Sequence, residues 1–145
     1  MEQIKKYQAK NEPVLSYMKG SKERSDVEET YNQMFNSRVD IPLYIGNEKI
    51  LTNERKDILP PHDHRNVVGT YSVADKKHVE NAIENNLKVK ESWSNMHWSE
   101  RCDIFLKAAD LVSKEYRAKI TAGTMIGQSK NCLLYTSPSP RDWLQ

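Results

Sequence analysis

Residues 101–130 decide the fold of this chain, and they read RCDIFLKAADLVSKEYRAKITAGTMIGQSK. An apolar stripe at helical spacing runs through Phe105, Ala109, Val112 and Tyr116, beside Ile104, Ala108 and Leu111. Ser99 precedes the stripe as an N-cap, and Glu100 suits the first-turn helix dipole. We therefore predict a helix over residues 99–116. Helical character continues through Ile120, Met125 and Ile126 to a stop at Gly127.

The preceding stretch also has helical periodicity. Asp75 is a good N-cap for a helix over residues 76–93, with Val79, Ile83, Leu87 and Trp93 at its apolar positions. A break is expected near residues 94–95. Trp93 and Trp98 flank this break, and we interpret both as core anchors.

Upstream of these helices the pattern predicts one more helix and short strands. Residues 21–36 form the helix, with Ser21 as its N-cap and an apolar face of Val27, Tyr31, Met34 and Phe35. Residues 41–52 predict a β-hairpin whose two-residue turn is Gly46-Asn47. A weaker strand pair comprises residues 57–59 and 67–73, in which Val67, Gly69, Tyr71 and Val73 share a face. Several parallel strands, which a doubly wound sheet requires, are not found.

Length and composition set the limits of these assignments. The chain has 145 residues, with 37% hydrophobic and 29% charged residues and a mean hydropathy of -0.81. This length predicts one domain. The net charge of +2 does not suggest nucleic acid or an anionic membrane as the main partner. The longest apolar run is residues 132–135, far short of the roughly 20 residues of a membrane span. No secretory or mitochondrial leader is recognised in residues 1–20.

Candidate chemical groups are few. His62 and His64 would point the same way on an extended segment, but no third ligand for zinc is nearby, so a polar loop is the favoured interpretation. Cys102 lies beside Arg101, which could lower a thiol pKa, yet no His is placed as a base and a structural role is favoured. The five glycines form no phosphate-binding loop. We assign no catalytic, cofactor-binding or metal-ligating residue to this chain.

The last residues differ in character from the rest. Residues 132–142 read CLLYTSPSPRD, with two prolines in three residues. All of these residues match one reading frame of a transposase-type sequencing-library adapter. We therefore interpret residues 132–145 as a foreign tail and residues 1–131 as the native part, the alternative being a native Pro-rich linker. Cys132, which follows Gly127-Gln128, is rejected as a nucleophile because it falls in this tail.

Short motifs, among them Asn11-Glu12-Pro13-Val14-Leu15 and residues 104–110, resemble those of one enzyme family. These are the delta-1-pyrroline-5-carboxylate dehydrogenases, also called L-glutamate gamma-semialdehyde dehydrogenases, of the aldehyde dehydrogenase superfamily. The opening Asn11-Glu12-Pro13-Val14-Leu15 points to this branch. The strongest similarity comprises Arg101, residues 104–110, Thr124-Met125, Gly127-Gln128 and Lys130. Weaker similarity lies at residues 20–24, 41–46, 61–64, 74–76, 82–84 and 93. Together these cover about residues 11–131.

The resemblance implies an α/β fold, of which this chain carries an α+β part. That part is the N-terminal arm, β-hairpins and helices, without the Rossmann-like sheet and the catalytic domain. It implies a parent oxidoreductase that oxidises L-glutamate gamma-semialdehyde to L-glutamate with NAD, in proline degradation in the mitochondrial matrix. The parent is expected to be a homo-oligomer. The nucleophilic Cys, the activating Glu and the nucleotide-binding units of the family are expected beyond this sequence, so the chain alone is expected to be inactive.

A second interpretation is a small helical interaction module with a hairpin and no catalysis. The character of residues 132–145 distinguishes the interaction module from part of an enzyme, because a complete module should end in native-looking sequence. If the chain is instead part of an enzyme, its helices lack a partner of sufficient size, and apolar faces should be exposed.

Overall fold

The computed structural model describes residues 13–130. The motif at residues 11–12 and the tail at 132–145 lie outside this range. Four helices and five strands are described: α1 (Lys22–Phe35), β1 (Val39–Ile41), β2 (Leu43–Ile45), β3 (Glu48–Ile50), β4 (Arg55–Ile58), β5 (Gly69–Ser72), α2 (Lys76–Asn95), α3 (Trp98–Ser113) and α4 (Arg117–Gln128). No helix among residues 13–130 is long and apolar enough to cross a membrane.

The N-cap of helix α1 is Ser21, as predicted. The Ser21 hydroxyl accepts a hydrogen bond from the Arg24 N–H at 3.4 Å, which satisfies one free donor of the first turn. Val27 is only 2% exposed, and the predicted apolar face is the side of α1 that turns inward. The prediction of this helix is confirmed.

The predicted hairpin is also present but shorter. Strands β2 and β3 pair antiparallel, with Leu43 opposite Ile50, and Gly46 supplies the positive φ of +60° at the turn. Ile41, predicted as part of the hairpin, belongs to β1 and pairs elsewhere. Pro42 separates the two strands, and because it has no N–H to donate, it is a natural point for the chain to change sheets.

A three-stranded sheet has the order β1-β5-β4. The predicted strand pair is present as antiparallel β4 and β5, with Ile58 opposite Gly69. Strands β1 and β5 run parallel, with Val39 opposite Gly69. The sequence did not indicate this parallel pair, because it joins segments 30 residues apart and leaves no local pattern. Burial along this segment does not follow the apolar pattern, since Tyr71 is exposed while Val68 and Ser72 are buried.

The C-terminal helices differ from the predictions at their ends. Helix α2 begins after Asp75, as expected, but it ends at Asn95, two residues beyond the predicted 76–93, so the break falls at residues 96–97 and not near 94–95. Helix α3 begins at Trp98, one residue before the predicted start, and its N-cap is His97 and not the predicted Ser99. The His97 ring accepts a hydrogen bond from the Ser99 N–H at 3.4 Å. It ends at Ser113, so the predicted helix over 99–116 is interrupted before α4. Gly127 remains helical, and Ser129 instead takes the left-handed conformation with φ of 53°.

The core lies between α1, α4 and the three-stranded sheet. Helices α1 and α4 make the most extensive helix–helix contact of residues 13–130. The buried side chains there are Val27, Val68, Thr121, Ala122 and Ile126. By contrast, neither α2 nor α3 contains a buried residue. Within residues 13–130, close packing is thus concentrated around α1, α4 and the three-stranded sheet.

Candidate functional site

An open cleft of about 650 Å³ lies where α1, α4 and the sheet converge. Its walls are mainly apolar, and its side chains include Met34, Val39, Ile41, Ile58, Val68 and Ile126. Thr30 and Gln33 add polar groups from α1. Such a cleft suits an apolar group of a ligand or of a protein segment.

The chemistry available in this cleft is limited. Among the described residues that line it, Lys119 is the single ionisable one. The two hydroxyls in the lining, those of Thr30 and Ser37, donate to the backbone carbonyls of Asp26 and Met34, so neither is paired with a general base in this cleft. The sequence patterns did not indicate this cleft, because β1 and β5 meet only through long-range pairing.

His62 serves as a structural junction. The Tyr31 hydroxyl lies 3.1 Å from His62 Nε2, and the Ser129 Oγ lies 2.8 Å from His62 Nδ1. The His62 ring also stacks on Phe35, with centroids 5.8 Å apart. Both ring nitrogens therefore have partners, and within residues 13–130 no group of three or more His, Cys, Asp or Glu could hold a metal ion. His62 connects α1, its own loop and the end of α4.

Cys102 lies in the first half of α3 and is half-buried with a free thiol. Its position agrees with the favoured interpretation of a packed or half-exposed cysteine. Cys132, the other cysteine, lies outside the described residues.

The N-terminus of α2 is the place to test for a dinucleotide, because it follows a strand of a parallel pair. Asp75 Oδ1 accepts a hydrogen bond from the His78 N–H at 2.9 Å. That backbone hydrogen bond holds the pKa of the Asp75 carboxyl below its ordinary value. A carboxylate thus already occupies the anion position, and no glycine lies between Ser72 and Asp75. These residues do not fit the pyrophosphate of NAD.

A second apolar surface runs along α2 and α3. We define the α2–α3 face as Val79, Ile83, Leu87, Trp93, Trp98, Phe105 and Val112, all of which are exposed. Trp93 and Trp98 were predicted as core anchors, and this was wrong, since they are 40% and 43% exposed. The exposure of apolar faces that was expected for part of a larger enzyme is present.

The chain is similar to a known protein family and to several curated proteins. The model described as "Aldehyde dehydrogenase family" matches residues 50–133. The delta-1-pyrroline-5-carboxylate dehydrogenase, mitochondrial, of Danio rerio is 40% identical over 85% of this chain and 22% of its own length. A probable delta-1-pyrroline-5-carboxylate dehydrogenase of Schizosaccharomyces pombe is 41% identical over 84% of this chain and 22% of its own length.

Solved structures show similarity to the same kind of enzyme. The delta-pyrroline-5-carboxylate dehydrogenase of Mycobacterium tuberculosis, crystallised with NAD and cobalamin, superposes with a TM-score of 0.80 at 34% identity. The superposition covers 83% of this chain and 23% of that structure. The described helices and strands therefore form part of the fold of that enzyme, and the chain spans between a fifth and a quarter of the length of these relatives.

Proposed function

Because this chain belongs to the aldehyde dehydrogenase family, we propose that it is part of a delta-1-pyrroline-5-carboxylate dehydrogenase. The observation that carries the proposal is the agreement of the curated relatives and the solved structures on that one enzyme, over more than four-fifths of the chain. The parent would oxidise L-glutamate gamma-semialdehyde to L-glutamate in proline degradation.

NAD is the proposed oxidant of the parent. Solved relatives from Mycobacterium tuberculosis and Thermus are described with bound NAD. The start of α2, where a dinucleotide was considered, does not fit this cofactor, because the Asp75 carboxylate already accepts from the His78 N–H. We therefore propose that the nucleotide site, the nucleophilic Cys and the activating Glu belong to other parts of the parent, and that residues 13–130 hold no catalytic, cofactor-binding or metal-ligating residue.

The proposed role of this part is structural. Its one well-packed unit, α1 and α4 with the sheet, would support the surrounding domain, while the cleft and the α2–α3 face would be covered by the rest of the parent. Relatives from Danio rerio, Rattus norvegicus and Homo sapiens are named mitochondrial, which supports a mitochondrial location for the parent. A homo-oligomeric parent remains part of the proposal.

The test begins with the source transcript. Amplification across codons 125–145, followed by sequencing with a different library chemistry, should show a frame that continues past Lys130 in place of the adapter-like codons. If these codons persist in genomic DNA, the foreign-tail interpretation is wrong, and the interaction-module interpretation gains support.

The full reading frame is then expressed and mixed with L-glutamate gamma-semialdehyde and NAD. We expect NADH to form, with a lower kcat/KM for an aldehyde that lacks the α-amino acid group. The 145-residue chain alone serves as the matched control and should form no NADH above background. NADH formation by the chain alone would refute its proposed inactivity, and a full-length enzyme inactive on the semialdehyde would refute the substrate.

A further inference from the structure

We draw no further inference here: the strongest candidate, the half-buried Arg101 side chain in the first turn of α3, whose shielded Nε has no hydrogen-bond partner within residues 13–130, carries no proposal because nothing in the structure shows what covers it.

Discussion

Gly69 shows how one residue fixes the contact between two strands. A Cβ at this position would lie 2.3 Å from the Val39 carbonyl oxygen and 3.0 Å from Val39 Cγ1. The Val39 N–H donates to the Val68 carbonyl at 3.2 Å, so the neighbouring backbone has little freedom to move away. The parallel contact between β1 and β5 therefore requires the missing side chain.

Gly69→Ala should consequently separate β1 from β5. We expect the Val39 amide to lose its protection from hydrogen exchange, with a destabilisation of about 1–3 kcal/mol from the forced overpacking. Gly127→Ala is the matched control, because its Cβ meets nothing within 4 Å and should stabilise α4 by roughly 0.5–1 kcal/mol. Retained protection at Val39 in Gly69→Ala would contradict this account.

Residue-level prediction from sequence worked where the partner is nearby in the chain. Ser21 and Asp75 both cap helices, as their local patterns indicated. His62 is different, since its partners Tyr31 and Ser129 lie 31 and 67 residues away. No periodicity or spacing connects such residues, so the junction could be found only in three dimensions. The sequence favoured a polar loop over a metal site at His62 only because no third ligand lies nearby.

At the scale of one element, the start of α2 depends on a charge. The Asp75 carboxylate accepts from the His78 N–H, and that bond lowers the Asp75 pKa. A lowered pKa means that the folded helix favours the ionised carboxyl. The cap's contribution is fully present above the ordinary carboxyl pKa, and it is lost as the pH falls through the lowered value.

Hydrogen exchange measured across the acid range should therefore show the His78 amide losing protection before the rest of α2. Asp75→Asn should remove this pH dependence, because an amide oxygen caps without titrating. The Arg24 amide, capped by the uncharged Ser21, is the internal control and should show no step in the same range. If both helix starts lose protection together, acid is unfolding the chain globally and the cap is not the cause.

Helix ends were the least predictable elements. Periodicity placed α2 and α3 correctly along the chain, since the apolar stripes are local. It joined residues 114–116 to α3, although the chain there leaves the helix before α4 begins. Periodicity shows which side of a helix is apolar and not whether anything covers that side, so Trp93 and Trp98, which were predicted as core anchors, are 40% and 43% exposed.

At the scale of the whole molecule, stabilising contacts are unevenly distributed. Buried residues gather around α1, α4 and the sheet, whereas α2 and α3 have none. We expect the isolated chain to lack a single cooperative thermal transition. Circular dichroism should show gradual loss of helix, with the α2 and α3 amides exchanging fastest. One sharp transition, with a denaturant m-value suited to 145 residues, would contradict this expectation.

The pairing of α1 with α4 also sets an order of events during synthesis. α1 ends at Phe35 and α4 begins at Arg117, so roughly 80 residues must be added before its main partner exists. At about 5–20 residues per second, α1 waits on the order of 4–16 seconds with Val27 and its apolar neighbours uncovered. During this interval the apolar side of α1 is a target for chaperones. A polypeptide whose synthesis ends before residue 117 contains α1 but not α4, so the apolar side of α1 stays uncovered.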